Sequence, residues 1–120
     1  MAMYRSGYAE IVADDQAEAR RNELMALDVV IDRLEAARET PGDVGRLHGA
    51  LDAMEALWAI FMVDAAHPEN ALPKETRQNI ISIGRWIFAR SADLREVKAA
   101  SIDALIEINA AIRSGLEGRS

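Results

Sequence analysis

Residues able to do chemistry are few and scattered in this sequence. It holds two histidines, His48 and His67, and no cysteine. Disulfides, thiolate zinc sites and cysteine nucleophiles are therefore excluded. A serine nucleophile needs a histidine and a carboxylate in register, and neither histidine accompanies a Gly-x-Ser-x-Gly elbow. A di-metal helical site needs two Glu-x-x-His pairs and two further glutamates. The nearest pattern is one Asp64-x-x-His67 just before Pro68, which reads as a solvated histidine at a helix end. Gly42, Gly45 and Gly49 lack the Lys-Ser/Thr that completes a phosphate loop. The sequence thus predicts no catalytic residues, no metal and no cofactor; it reads as a protein that is not an enzyme.

The remaining features suit recognition. Arg77, Arg85, Arg90, Arg95 and Lys98 cluster within a short stretch. They read either as a small RNA-facing patch or as a solvated helix face whose cations suit the helix dipole. Only Trp86 and Phe88 are at hand as stacking platforms for bases. Asn79 and Asn109 lie inside apolar runs. An asparagine facing a core must find partners or cost about 1–3 kcal/mol. It therefore reads as a polar contact between helices, a half-exposed edge, or a polar anchor in a binding groove. Trp58, Phe61, Trp86 and Phe88 fill a core or line a groove for a partner helix, and Met54 and Met62 flank Trp58.

The elements that position these residues are helical. The chain has 120 residues, 50% of them hydrophobic, 28% charged and 5% aromatic. That suits one globular domain spanning 1–120. Alanine, the best helix former, occurs 22 times. The net charge of −6 and pI of about 4.9 argue against general binding to DNA or to anionic membranes. The longest apolar run, Ala56 to Val63, is far too short to cross a bilayer. No apolar signal segment opens the chain, so a cytoplasmic location is expected.

Apolar spacing predicts five helical segments. Tyr4, Tyr8, Ile11 and Val12 give a short N-terminal helix or arm within 1–13, weakened by Gly7. Asp14 and Asp15 are candidate caps for a second segment, Gln16 to Arg38, whose stripe is Leu24, Leu27, Ile31 and Leu34, widened by Met25, Val29 and Val30. Thr40-Pro41-Gly42 ends it. A third segment runs from an Asp43 cap to about Ala65, with Leu47, Leu51, Met54, Trp58, Phe61 and Met62 on its stripe, and stops at His67-Pro68. A fourth runs from Pro73 to about Leu94, with Asn70 as its cap and Pro73 in its first turn. A fifth runs from Ser101 to Gly115, on the stripe Ile102, Leu105, Ile106, Asn109, Ile112 and Leu116; residues 117–120 form a frayed tail. The expected fold is all-α, a small antiparallel bundle of four long helices plus the N-terminal helix or arm. Its core is expected to draw on Leu24, Leu27, Ile31, Leu51, Met54, Trp58, Phe61, Ile80, Ile83, Ile87, Leu105, Ile106 and Ile112.

The sequence resembles the FlaF family of flagellar biosynthesis regulators of alphaproteobacteria. The resemblance rests on Leu57-Trp58-Ala59-Ile60-Phe61, then Asn70-Ala71-Leu72-Pro73, then Arg77-Gln78-Asn79-Ile80. It continues through Ile83-Gly84 and Trp86-Ile87-Phe88 to Leu105-Ile106-Glu107-Ile108-Asn109 and Gly115-Leu116. Trp58, Phe61, Asn70, Leu72, Pro73, Asn79, Ile80 and Asn109 stand as its structural motif. The resemblance implies a small cytoplasmic helical protein in bacterial motility that binds flagellin and promotes its production and export, as an export chaperone. The alternative it implies is a post-transcriptional regulator of flagellin synthesis acting through RNA or the FlbT protein. Monomer and dimer both remain open.

A partner surface is expected on the fourth segment. Ile80, Ile83 and Ile87 form one stripe, Ile81, Gly84 and Phe88 another, and Trp86 lies beside Ile83. That exceeds the arc a bundle helix ordinarily buries. The fifth segment, the N-terminal segment or a client helix must cover the surplus. The expected contact residues are Tyr4, Tyr8, Arg77, Ile81, Arg85, Trp86 and Phe88, with the N-terminal segment as a weak cover that flagellin displaces.

Overall fold

The computed structural model describes the backbone of residues 2–96 and 101–118, and the side chains of residues 10, 11, 14–96 and 101–118. It contains α1 (Ala2–Glu39), α2 (Val44–Ala66), α3 (Lys74–Glu96) and α4 (Ile102–Glu117), and no strand among the described residues. The all-α expectation holds; the separate N-terminal helix does not. Residues 2–13 continue α1 without a break, so Asp14 and Asp15 are interior positions rather than caps. Both are exposed, and polar side chains pointing into water do not end a helix. At about 1.5 Å per residue the helix is about 57 Å long, close to the full 62 Å of the molecule.

The turns follow local chemistry. Thr40 donates its hydroxyl to the Ala36 carbonyl at 2.8 Å, and Gly42 takes φ +96°, a conformation open to glycine without strain. Asp43 caps α2 as expected, accepting from the Arg46 amide at 3.0 Å. His67 is extended, as the residue before a proline should be. Asn70 differs from expectation. Its oxygen accepts from the Leu72 amide at 2.9 Å, and its amide nitrogen donates to the Asp64 carbonyl at 2.8 Å. It ties the loop to the end of α2 rather than capping α3. Pro73 stands just before α3 and accepts from the Arg77 amide at 3.0 Å. Two ends also run further than their residues suggest: α3 continues past Leu94 to Glu96, and α4 passes through Gly115 to Glu117. Ser101 caps α4, accepting from the Asp103 amide at 3.2 Å.

The helices form a bundle that is open along one edge. α1 packs against α2 and α4, α2 packs against α3, and α3 and α4 barely meet. Polar contacts mark the antiparallel direction of two of these pairs, α1 with α4 and α2 with α3. Arg38 to Asp103 at 3.1 Å and Arg113 to Asp28 tie opposite ends of antiparallel α1 and α4. Arg95 holds Asp52 at 2.7 Å and Glu55 at 3.0 Å at one end of α2 and α3. At the other end Arg77 donates from Nε to the Ala65 carbonyl at 2.8 Å.

Leu27, Val30 and Leu34 of α1, Leu51, Met54 and Trp58 of α2, Ile87 of α3 and Leu105 of α4 form the buried core. Of the expected core, Leu24, Ile31, Phe61, Ile80, Ile83, Ile106 and Ile112 are only half-buried. Met25 and Val29 are exposed, because the inward face of α1 centres on Leu27, Val30, Leu34 and Ala37. Asn109 is fully buried. It accepts from Trp58 Nε1 at 2.8 Å and donates to the Leu105 carbonyl at 2.8 Å. This bond spans the diagonal between α2 and α4, and the indole contributes large apolar area without leaving an unpaired donor. Asn79 is exposed. Gly84 lies close against α2: a Cβ there would collide with the Met62 side chain.

Candidate functional site

The open edge between α3 and α4 makes an apolar groove. Ile83 and Trp86 form its α3 wall, and Ala104, Ile108 and Ala111 its α4 wall, around about 550 Å³. Ser82 and Glu107 supply polar groups along it. Each wall follows from helical periodicity. Ile83 and Trp86 flank the inward stripe of Gly84, Ile87, Ser91 and Leu94. Ala104, Ile108 and Ala111 are spaced i, i+4, i+7 on α4, one row aside from buried Leu105 and Asn109. The small alanines on either side of Ile108 keep the α4 wall low.

One end of the groove is charged. The Arg90 guanidinium lies 5.3 Å over the Trp86 ring, a cation–π contact that fixes the indole in the wall. Its NH1 reaches Asp93 at 3.4 Å, while its Nε is buried without a hydrogen-bond partner.

The expected contact residues separate into different places. Trp86, 38% exposed, lines the groove. Phe88 has nearly the same exposure, 36%. It lies about 200° around the helix from Trp86, at about 100° per residue, on the opposite flank. Ile81 is half-buried and Arg85 is exposed. Arg77 is engaged with the end of α2. The side chains of Tyr4 and Tyr8, the proposed cover over α3, and Lys98 lie outside the described residues. The α4 wall is the part that the sequence reading missed. Its signal was present: Ile108 is a large apolar residue off the stripe used for the core, with alanines one turn to either side.

The basic cluster is largely committed within the protein. Arg95 is held by Asp52 and Glu55, Arg77 by a carbonyl, and Arg90 by Trp86 and Asp93. Hydrogen bonding to Asp52 raises the Arg95 pKa, with Glu55 adding to it and partial burial opposing it. Ser91 also donates to Glu55 beside this pair. The histidines stand apart from the groove: His67 Nδ1 accepts from the Glu69 amide at 3.1 Å. Among the described residues no group of three or more His, Cys, Asp or Glu could hold a metal ion. No described helix is long and apolar enough to cross a membrane.

No curated protein and no solved structure matches the chain. The sequence profile of a family described as "Flagellar protein FlaF" matches residues 4–116. That span takes in α2 and α3 whole, all but the outermost residues of α1 and α4, both walls of the groove and the pinned α2–α3 loop, and the chain therefore belongs to the FlaF family of flagellar proteins.

Proposed function

We propose that the chain is a non-enzymatic, cytoplasmic flagellar biosynthesis factor. It binds flagellin in the α3–α4 groove and promotes its production and export as a chaperone. The observation that carries this reading is the groove itself, apolar on both walls and left open among the described residues. An amphipathic segment of an unassembled filament subunit has an apolar face with no partner. Laying that face into the groove keeps both surfaces out of water. Part of the interaction energy goes into ordering the client, commonly 2–5 kcal/mol or more, which suits binding that must be reversed at export.

The test is a titration of purified monomeric flagellin with the chain and with Ile108→Asp, which places a charge on the α4 wall. Saturable binding to the parent and loss of binding to the folded variant support the reading. Equal binding to both removes flagellin from the groove. Control of flagellin synthesis through RNA would show instead as a steep loss of RNA affinity with salt. Control through FlbT would show as FlbT binding without flagellin binding.

A further inference from the structure

A second cavity, of about 430 Å³, lies at the end of the bundle where the α2–α3 loop folds over. Trp58 and Phe61 from α2, Leu72 from the loop, and Ile112 and Leu116 from α4 form its apolar walls. Gln16, Ala19, Arg20 and Glu23 of α1 and Asp64 of α2 line its mouth. It lies at the opposite end of α4 from Ala104 and shares no lining residue with the α3–α4 groove. We propose that this cavity is a separate docking site that takes one bulky apolar side chain of a partner peptide flanked by a lysine or arginine.

The interior is preformed. Trp58 is held by its bond to Asn109, and Phe61 meets its ring edge-on, with centroids 5.2 Å apart at 84°. Asn70 fixes the loop that carries Leu72 through bonds to Asp64 and Leu72. A ligand entering here therefore has little of the wall to order, which favours binding.

The charge at the mouth specifies the ligand. Glu23 is half-buried and Asp64 is exposed beside it. Among the described residues, the charged groups that line the cavity are these two carboxylates and the Arg20 guanidinium; Arg77 of α3 stands just outside the lining, its Nε given to the carbonyl of the lining residue Ala65. Burial raises the Glu23 pKa, repulsion from Asp64 raises it further, and Arg20 opposes both. Among the described lining side chains, carboxylates thus outnumber cations two to one. A ligand cation would offset the repulsion, and a ligand anion would add to it. Asp64 is exposed, Glu23 and Phe61 are half-buried and Trp58 is buried, so Asp64 lies towards water and the indole towards the core. The buried group is therefore apolar, and the cation belongs to a neighbouring position, as on a peptide with the two residues one helical turn apart.

Trp58 fluorescence, read in a Trp86→Phe background, reports occupancy. The probes are two short alanine-based peptides, each with one phenylalanine, one carrying lysine a turn later and the other glutamate there. The lysine peptide should bind saturably and about tenfold or more tightly than the glutamate peptide. Glu23→Gln with Asp64→Asn should abolish that difference. Ala19→Phe, checked for folding by its melting curve, should block the mouth. Ile108→Asp, in the other groove, should leave binding unchanged. Equal binding of both peptides, no response at millimolar concentration, or loss of binding in Ile108→Asp would each overturn the proposal. Tight binding of 3-phenylpropylammonium with no gain from the peptide would overturn the peptide assignment in favour of a free amine.

Discussion

Trp86 and Phe88 form a matched pair that tests the groove. They are 38% and 36% exposed, both are large aromatics, and they lie on opposite flanks of α3. A tryptophan can bury up to about 250 Å², so a client that covers Trp86 would bury a further ~95 Å². At ~25 cal/mol per Å² that is about 2.4 kcal/mol, or about a 50-fold change in Kd. Both rings are partly buried in the free protein, so Trp86→Ala and Phe88→Ala should each lower stability, by at most about 3–5 kcal/mol, the value for a fully buried ring. Stability therefore cannot tell the two apart, and affinity must. Calorimetric titration of monomeric flagellin into each folded variant should show about a 50-fold loss for Trp86→Ala and an unchanged Kd for Phe88→Ala. An equal loss in both variants, or a loss in Phe88→Ala alone, would refute the groove as the client site.

Three further outcomes follow from the packing. Asn109→Ala leaves the buried Trp58 N–H without its acceptor and opens a cavity; a loss of about 3 kcal/mol and a Tm drop of about 12 °C are expected in thermal melts, and a shift below about 3 °C would show the bond to be unimportant. Gly84→Val drives a side chain into Met62 and should lower stability by about 1–3 kcal/mol, with partial recovery in Gly84→Val/Met62→Ala; no recovery would place the strain elsewhere. Glu23 has a folded-state pKa above its ordinary value of 4.5, so the folded state holds the proton more tightly and stability falls as pH rises from 4.5 through the raised value. Glu23→Gln should therefore be more stable than the parent at neutral pH, with the advantage vanishing below pH 4.5; denaturant melts at both pH values would show it, and a variant less stable at neutral pH would contradict the sign.

The sequence by itself determined the fold class and most helix ends, because both are local properties. The alanine content and the 3.6-residue spacing of apolar residues specify helices. Asp43, Ser101 and His67-Pro68 mark ends through bonds and clashes within a few residues of themselves. At two places the local signals misled. Asp14 and Asp15 look like caps, yet the helix runs through them because nothing there stops it. Asn70 looks like a cap for α3, yet its amide reaches back to the carbonyl of Asp64. The stripe on the fourth segment showed that α3 had more apolar surface than one core uses, and placed Trp86 on it. Only the tertiary structure decided which flank faces a groove. Trp86 and Phe88 are both large aromatics two positions apart, and they are separated by the position of α4, which packs on α1 and barely meets α3. The α4 wall and the end cavity are likewise invisible along the chain, since each forms from residues that meet only when separate helices pack.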